Sequence, residues 1–374
     1  MKTDVSERRA AGVEGVLPDA RVRMLVVAAF LAAAALILLG VPSPSHAQEL
    51  AWGLTAIPGL KVGHFTLSER PTGCTVVLAE GGAVGGVDVR GGAPGTRETD
   101  LLDPVNTVQE VHAVVLSGGS AFGLDAASGV VRYLDERDIG YRVGQIRVPI
   151  VVGAVLYDLS VGDDPRVRPG ADCGYRAASR ANSETSAEGN VGAGAGATVG
   201  KLRGMARAMK GGVGTASITL DSGLTVAAIV AVNAVGDIID PATGSVIAGV
   251  RTTDGRGLAD ARRLLREGSS NEPQSGANTT IGVVATNATL TKAEATKVAQ
   301  MAQDGLARTI YPAHTPGDGD TVFSLATGTL SGAASVSTIG ALAADMMAEA
   351  IVRAVRAATG IPGFPAAGDI SAGR

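Results

Sequence analysis

Apolar positions along the chain fall into short runs of strand length and longer stretches with helical spacing, separated by glycine-rich turns. The run 75–78 follows a turn at Pro71-Thr72-Gly73 and reads as a strand. The run 113–116 reads as another and ends in Ser117-Gly118-Gly119. Phe122, Leu124, Ala127, Val130, Val131 and Leu134 then line one broad helical face, with Ser120 placed to cap it. Residues 215–220 and 224–232 predict two strands around an Asp221-Ser222-Gly223 turn. The stretch 252–278 is rich in Gly, Ser, Asn and Arg; it predicts a short helix at 258–267 and then a mobile connector. A new regime starts at Thr279, where Thr280, Ile281, Val283, Val284 and Thr286 are β-formers. Thr291 and Glu294 form a capping box ahead of a helix carrying Val298, Met301 and Leu306. Residues 321–326 predict a further strand, and 336–358 a long helix ended by Gly360 and Pro362. The order predicts a mixed α/β fold with sheets sandwiched by helices. The part after Thr279 is too small and too apolar to stand alone, so 48–278 and 279–374 read as two parts of one domain.

Composition sharpens this picture. Hydrophobic residues make up 45% of the 374 positions but aromatics only 3%, so the core must be built from Ala, Val, Leu and Ile, packed close with the help of 52 glycines. With 32 basic and 36 acidic residues and no basic block in the body, a nucleic-acid partner has no electrostatic support. At the N-terminus, Arg21 and Arg23 precede an apolar run from Met24 to Val41, and Ser45 and Ala47 supply small residues for a cut. This pattern predicts a secretory signal over 1–47, export to the periplasm or beyond, and no stable membrane association once the signal is gone. The rival reading is a retained anchor, since about 18 apolar residues can just span a bilayer. Export makes a Cys74–Cys173 disulfide possible, but two widely separated cysteines give no framework, so two buried free thiols are the default expectation. The histidines lack metal-site spacing, and neither a metal nor any other cofactor is expected.

Several glycine motifs fail their tests. In residues 189–201 (GNVGAGAGATVGK), Ala195 and Leu202 occupy positions where a P-loop needs Gly and Ser or Thr. A dinucleotide fingerprint begun at Gly194 meets Val199 where a third glycine belongs. Begun at Gly192 it reaches a permitted Ala197, but no strand-like run precedes it. Ser120 is followed by Ala-Phe-Gly, which is not a nucleophile elbow. By spacing alone, Asn278-Thr279-Thr280 is a strand start and Asp318-Gly319-Asp320 a tight turn.

Seven stretches, in order, change that reading: 118–125 (GGSAFGLD), 148–159 (VPIVVGAVLYDL), 189–201, 210–217 (KGGVGTAS), 230–236 (VAVNAVG), 278–287 (NTTIGVVATN) and 314–323 (HTPGDGDTVF). Over nearly the whole mature chain the sequence resembles the family of L-aminopeptidase/D-esterases, β-peptidyl aminopeptidases and nylon-oligomer (6-aminohexanoate oligomer) endohydrolases. Its NTT start and DGD turn are most similar to the last branch; the aminopeptidases carry Gly-Ser at the cut and a Ser/Glu pair in place of DGD. The resemblance implies a four-layer αββα fold of the N-terminal-nucleophile type, one internal cut at Asn278–Thr279, and Thr279 as the freed nucleophile. It implies Asn233 as an oxyanion donor, Tyr157 as a second donor or a contact to the nucleophile, and Lys201 as a positive charge nearby. Asp318 and Asp320 would hold the Thr279 ammonium and Lys201. The expected partners are a small peptide or amide substrate and further copies of the cut heterodimer in a homo-oligomer, commonly a tetramer in the family.

The chemistry has its own logic. A threonine hydroxyl needs a base, and an N-terminal Thr279 would carry one in its own α-amine, of ordinary pKa about 8. Two other functions share the implied fold: acyl transfer of the ornithine acetyltransferase type, and a catalytically silent binding protein. Intact Asn278, Thr279 and DGD argue against silence, and export argues against a biosynthetic transferase.

Overall fold

The computed structural model describes residues 52–268 and 277–370. The signal expected at 1–47 and positions 269–276 of the expected connector lie outside the described residues. Nine strands join in one hydrogen-bonded sheet: β1 (Lys61–Thr66), β2 (Gly73–Val89), β3 (Thr96–Arg97), β4 (Glu110–Ser117), β5 (Val151–Val155), β6 (Gly212–Thr219), β7 (Thr225–Asn233), β8 (Thr279–Thr286) and β9 (Thr321–Ala326). The strand order is β6-β7-β8-β9-β2-β4-β5-β3, with β1 paired to β2. In this sheet β8–β9 and β4–β5 are parallel pairs. Among the described residues the α-helices are α1 (Ala126–Asp135), α2 (Ala171–Ser179), α3 (Ala261–Arg266), α4 (Lys292–Thr309) and α5 (Val336–Arg356).

Alternation along the strands divides the core into layers. Val77, Leu116 and Val152 from one half of the sheet meet Ile229, Ile281, Val283 and Phe323 from the other half in a central apolar layer. The opposite faces of β7, β8 and β9 place Val226, Val230, Val284 and Val322 with Val298 and Leu306 of α4 and Ile351 of α5. The opposite faces of β2, β4 and β5 place Val76, Leu78, Val115 and Val151 with Val130 and Leu134 of α1 and Ala177 of α2. Helix, sheet, sheet, helix is the four-layer order implied by the resemblance. Each of these strands is covered on both faces, which is why the segments read as continuous apolar runs. Burying one Val, Leu or Ile side chain contributes roughly 1.5–3 kcal/mol. With so few aromatics, close approach replaces bulk: a Cβ on Gly129 of α1 would collide with the Ala171 carbonyl oxygen, so the two helices touch through glycine.

The predicted capping box is present, with Thr291 accepting from the Glu294 N–H and Glu294 reaching back. Ser335 caps α5. Two expectations fail. Ser120 does not cap a helix: residues Ser120–Asp125 form a 3-10 turn, no side-chain cap bond is made, and α1 begins at Ala126. The turn is held by backbone groups instead, Ser120 N–H donating to the Leu156 carbonyl and Gly119 N–H to Asp158, while Phe122 stays exposed under the Arg168 guanidinium. Cys74 and Cys173 are not free thiols but a disulfide. Both face the layer between β2 and α2, and their Cα atoms lie 6.1 Å apart despite a sequence separation of 99. Among the described residues no helix is long and apolar enough to cross a membrane.

Candidate active site

The site forms where β7 ends and β8 begins. Asn233, last in β7, is the register partner of Thr279, first in β8. On the other side, Asn278 pairs in parallel with Asp318, so the Asp318-Gly319-Asp320 turn flanks the Asn278–Thr279 junction. Lys201 arrives from the glycine-rich stretch, its N–H bonded to the Val235 carbonyl just beyond β7. Lys201, Asn233, Asn278, Thr279, Asp318 and Asp320 are all buried.

Lys201 Nζ donates to three oxygens: the Asn233 carbonyl (2.9 Å), Asn233 Oδ1 (2.8 Å) and the Ala277 carbonyl (3.0 Å). Asn233 Oδ1 also accepts from the Thr198 N–H at 3.0 Å, which fixes the amide orientation and aims Nδ2 at the Tyr157 carbonyl (2.9 Å) and the Ala277 carbonyl (3.4 Å). Thr279 Oγ1 donates to the Asn278 carbonyl oxygen, and the Gly319 N–H donates to that same oxygen at 2.9 Å. Asp320 Oδ1 accepts from the Thr280 N–H at 2.7 Å; its Oδ2 accepts from the His314 N–H at 3.0 Å and meets His314 Nδ1 at 2.9 Å. Asp318 Oδ2 accepts from the Thr315 N–H at 2.7 Å.

Burial pulls the Lys201 ammonium down to about 7, against the opposing charges of Asp318 and Asp158. Its three oxygen acceptors also favour the charged form. Burial and the charge of Asp320 push the Asp318 carboxyl up to about 6, opposed by the Thr315 hydrogen bonds and by Lys201. A hydroxyl, an amide donor, a cation and two carboxylates are thus gathered around one peptide bond. Among the described residues no group of three or more His, Cys, Asp or Glu is placed to hold a metal ion.

Five of the six expected side chains therefore meet at the Asn278–Thr279 junction. Tyr157 joins through its backbone carbonyl, an acceptor. Three contributors escaped the sequence reading. The Gly319 N–H is a backbone group that no residue type announces. His314 lay in a matched stretch, but its role depends on a left-handed backbone (φ 57°) that aims both its N–H and its ring at Asp320. Lys210 is fully buried and donates to the Gly194, Ala197 and Gly211 carbonyls at 2.7, 3.0 and 2.9 Å. It thereby fixes the stretch of backbone from which Thr198 holds Asn233.

Likeness to known proteins identifies the fold and the family. The model of peptidase family S58 matches residues 53–367. An uncharacterized aminopeptidase of Mycobacterium leprae is 46% identical over 340 residues, covering 83% of this chain and 92% of that protein. A 6-aminohexanoate-oligomer endohydrolase of Kocuria sp. is 33% identical over 313 residues, covering 80% and 84%. Among solved structures, a Burkholderia sp. β-aminopeptidase superposes with a TM-score of 0.61 at 24% identity, covering 85% of this chain and 89% of that one. The L-aminopeptidase D-Ala-esterase/amidase of Ochrobactrum anthropi, a variant of the Ntn hydrolase fold, gives 0.60 at 20% identity, covering 83% and 88%. The fold is that of the N-terminal-nucleophile hydrolases, and the chain belongs to peptidase family S58.

Proposed function

We propose that this chain is a self-processing amide hydrolase that cuts its own Asn278–Thr279 bond and then uses Thr279 as an N-terminal nucleophile. The observation that carries the reading is the contact of Thr279 Oγ1 with the Asn278 carbonyl inside a buried cluster of Lys201, Asn233, Asp318 and Asp320. In the cut, Oγ1 adds to the Asn278 carbonyl carbon, the C–N bond breaks, and the hydroxyl proton ends on the departing nitrogen. The product is an ester with a free α-amine; water then hydrolyses the ester to an Asn278 carboxylate and restores the Thr279 hydroxyl.

In turnover the α-amine takes the Oγ1 proton as Oγ1 attacks the substrate carbonyl. The substrate amine leaves and water releases the acyl group. Lys201 and Asn233 oppose the developing negative charge, which a buried site makes worth more than in water. Tyr157 orients Asn233 through its carbonyl. Asp320 anchors the backbone beside the nucleophile, and Asp318 balances Lys201 and the new ammonium. Small peptides, aminoacyl amides and amide oligomers fit the names of the relatives. Residues 1–47 act as an export signal, and the Cys74–Cys173 bridge supports an oxidising destination. The cut heterodimers assemble into a homo-oligomer, for which the exposed apolar side chains Tyr141, Val143, Ile146 and Val148 offer surface.

Intact-mass measurement of the purified protein tests the reading. Two chains are expected, the smaller beginning TTIGVV, and Thr279→Ala is expected to stay whole. A Thr279→Ala protein that still splits at this bond sinks the nucleophile assignment.

A further inference from the structure

The two carbonyls ahead of Thr279 occupy two different sets of donors. The scissile Asn278 oxygen receives the Gly319 N–H at 2.9 Å. The Ala277 oxygen, one residue earlier, receives Lys201 Nζ at 3.0 Å and Asn233 Nδ2 at 3.4 Å. Resting on the self-processing reading above, we propose that Thr279 works with separate oxyanion donors in its two reactions. The Gly319 N–H serves the self-cut, while Asn233 and Lys201 serve substrates and stay masked by the Ala277 carbonyl until the cut.

Chemistry supports the division. When Oγ1 adds to the Asn278 carbon, negative charge grows on the oxygen that Gly319 already contacts, at a distance suited to an oxyanion donor. Nothing has to move for that bond to strengthen. Asn233 Nδ2 and Lys201 Nζ are engaged elsewhere at that moment. The register enforces the separation: Asn278 pairs with Asp318 on the β9 side, so its carbonyl turns toward Gly319, and the Ala277 carbonyl turns toward the end of β7. Once the ester is hydrolysed, the new chain end at Asn278 is no longer tied to Thr279. Its withdrawal uncovers Nδ2 and Nζ together, two donors converging on the place of one carbonyl oxygen. The Ala277 carbonyl thus stands in for the substrate carbonyl and keeps the precursor inactive toward substrates. Gly319 must also be a glycine for this contact, since a Cβ there would lie 2.9 Å from Thr279 Oγ1.

The test removes only the N–H. Glycolic acid is placed at position 319 of the full chain by nonsense suppression in cell-free synthesis, turning the 318–319 amide into an ester. The half-time of precursor splitting is then followed by intact mass. A slowing of about 100-fold is expected for loss of one such donor; a half-time within about twofold of the all-amide protein overturns the assignment of Gly319, since losing a working donor costs far more. The reciprocal arm is Asn233→Ala, scored for both splitting and turnover of an aminoacyl anilide. Turnover should fall about 100-fold and splitting by far less. Equal losses in both, or loss of splitting alone, overturn the division of donors, whatever the ester arm gives. Splitting of Thr279→Ala would instead overturn the self-processing reading itself, so the two failures are distinguishable.

Discussion

Gly319 lies against Thr279 so closely that a methyl group on it would stand 2.9 Å from Oγ1 and 2.9 Å from the Ala93 carbonyl oxygen. The Ala93 backbone cannot yield cheaply, because its N–H is itself bonded to the Asp318 carbonyl at 2.7 Å. Gly319→Ala is therefore expected to slow splitting at least about tenfold and to cost roughly 1–3 kcal/mol of stability by overpacking. Intact mass over time and thermal denaturation check the two effects. Splitting at the unaltered rate would show that the hydroxyl has room to move.

Asp320 joins two segments that flank the nucleophile, accepting from Thr280 N–H through one oxygen and from His314 through the other. Asp320→Ala leaves the buried Thr280 N–H without its acceptor, at a cost of about 1–3 kcal/mol, and loosens the backbone next to Oγ1. Turnover of an aminoacyl anilide should fall at least about tenfold. Asp320→Asn keeps an acceptor for Thr280 and should retain more activity than the alanine variant. Equal activity in all three proteins would reduce Asp320 to a turn residue.

The layers were legible in the sequence because β-formers and helical faces alternate with glycine turns. The start of β8 at Thr279 and the capping box at Thr291 fall where the pattern places them. Strand β2 was visible only as 75–78, since Gly81, Gly82, Gly85 and Gly86 interrupt its apolar run; the pairing that extends it to Val89 comes from β4 and β9. The helix after Gly119 begins later than the apolar period predicts, because Phe122 fits that period yet lies on the surface. At the site, residue types pointed to Thr279, Asn233, Lys201 and the two aspartates, but only through resemblance. What joins them is register and backbone: the Asn233–Thr279 pairing, the Gly319 N–H and the carbonyls of Tyr157 and Ala277. Such groups carry no letter of their own.

For the disulfide, the expected export makes the pairing possible, but sequence separation says nothing about two residues facing one layer. It links β2 to α2 across a sequence separation of 99. In the chain-entropy account a loop of that length stabilises by about 4–5 kcal/mol. Cys74→Ser/Cys173→Ser should lower the thermal midpoint clearly while leaving the splitting of folded protein unchanged, because the bridge lies in the layer outside the site. Dithiothreitol should lower the wild-type midpoint and not that of the double variant. An equal response in both would mean that the bridge does not form in solution.

The pH profile separates hydrolysis from transfer and tests the base. Lys201 is held below the usual lysine value, at about 7, so its charge is complete below that pH and lost above it. Asp318 is held above the usual carboxyl value, at about 6, so its charge is complete above that pH and lost below it. Both charges coexist chiefly between about pH 6 and about 7. The freed α-amine, ordinarily near about 8, is lowered by the Lys201 charge and by burial and raised by the two carboxylates. Activity of the cut enzyme should climb from about pH 5 as Asp318 ionises and the amine sheds its proton, then fall as Lys201 loses its charge, above about pH 7, because withdrawal of the chain end relieves the burial that lowers Lys201 in the uncut chain. Lys201→Met should lower the maximum, remove the alkaline fall and shift the climb upward, because the cation that depresses the amine is gone. The measurement is kcat/KM for an aminoacyl anilide across this range, with and without an added amine acceptor. Hydrolysis predicts full turnover with water alone. A strong dependence on the acceptor would move the enzyme to the transferases, and a rate indifferent to pH between about 5 and about 9 would remove the α-amine as base.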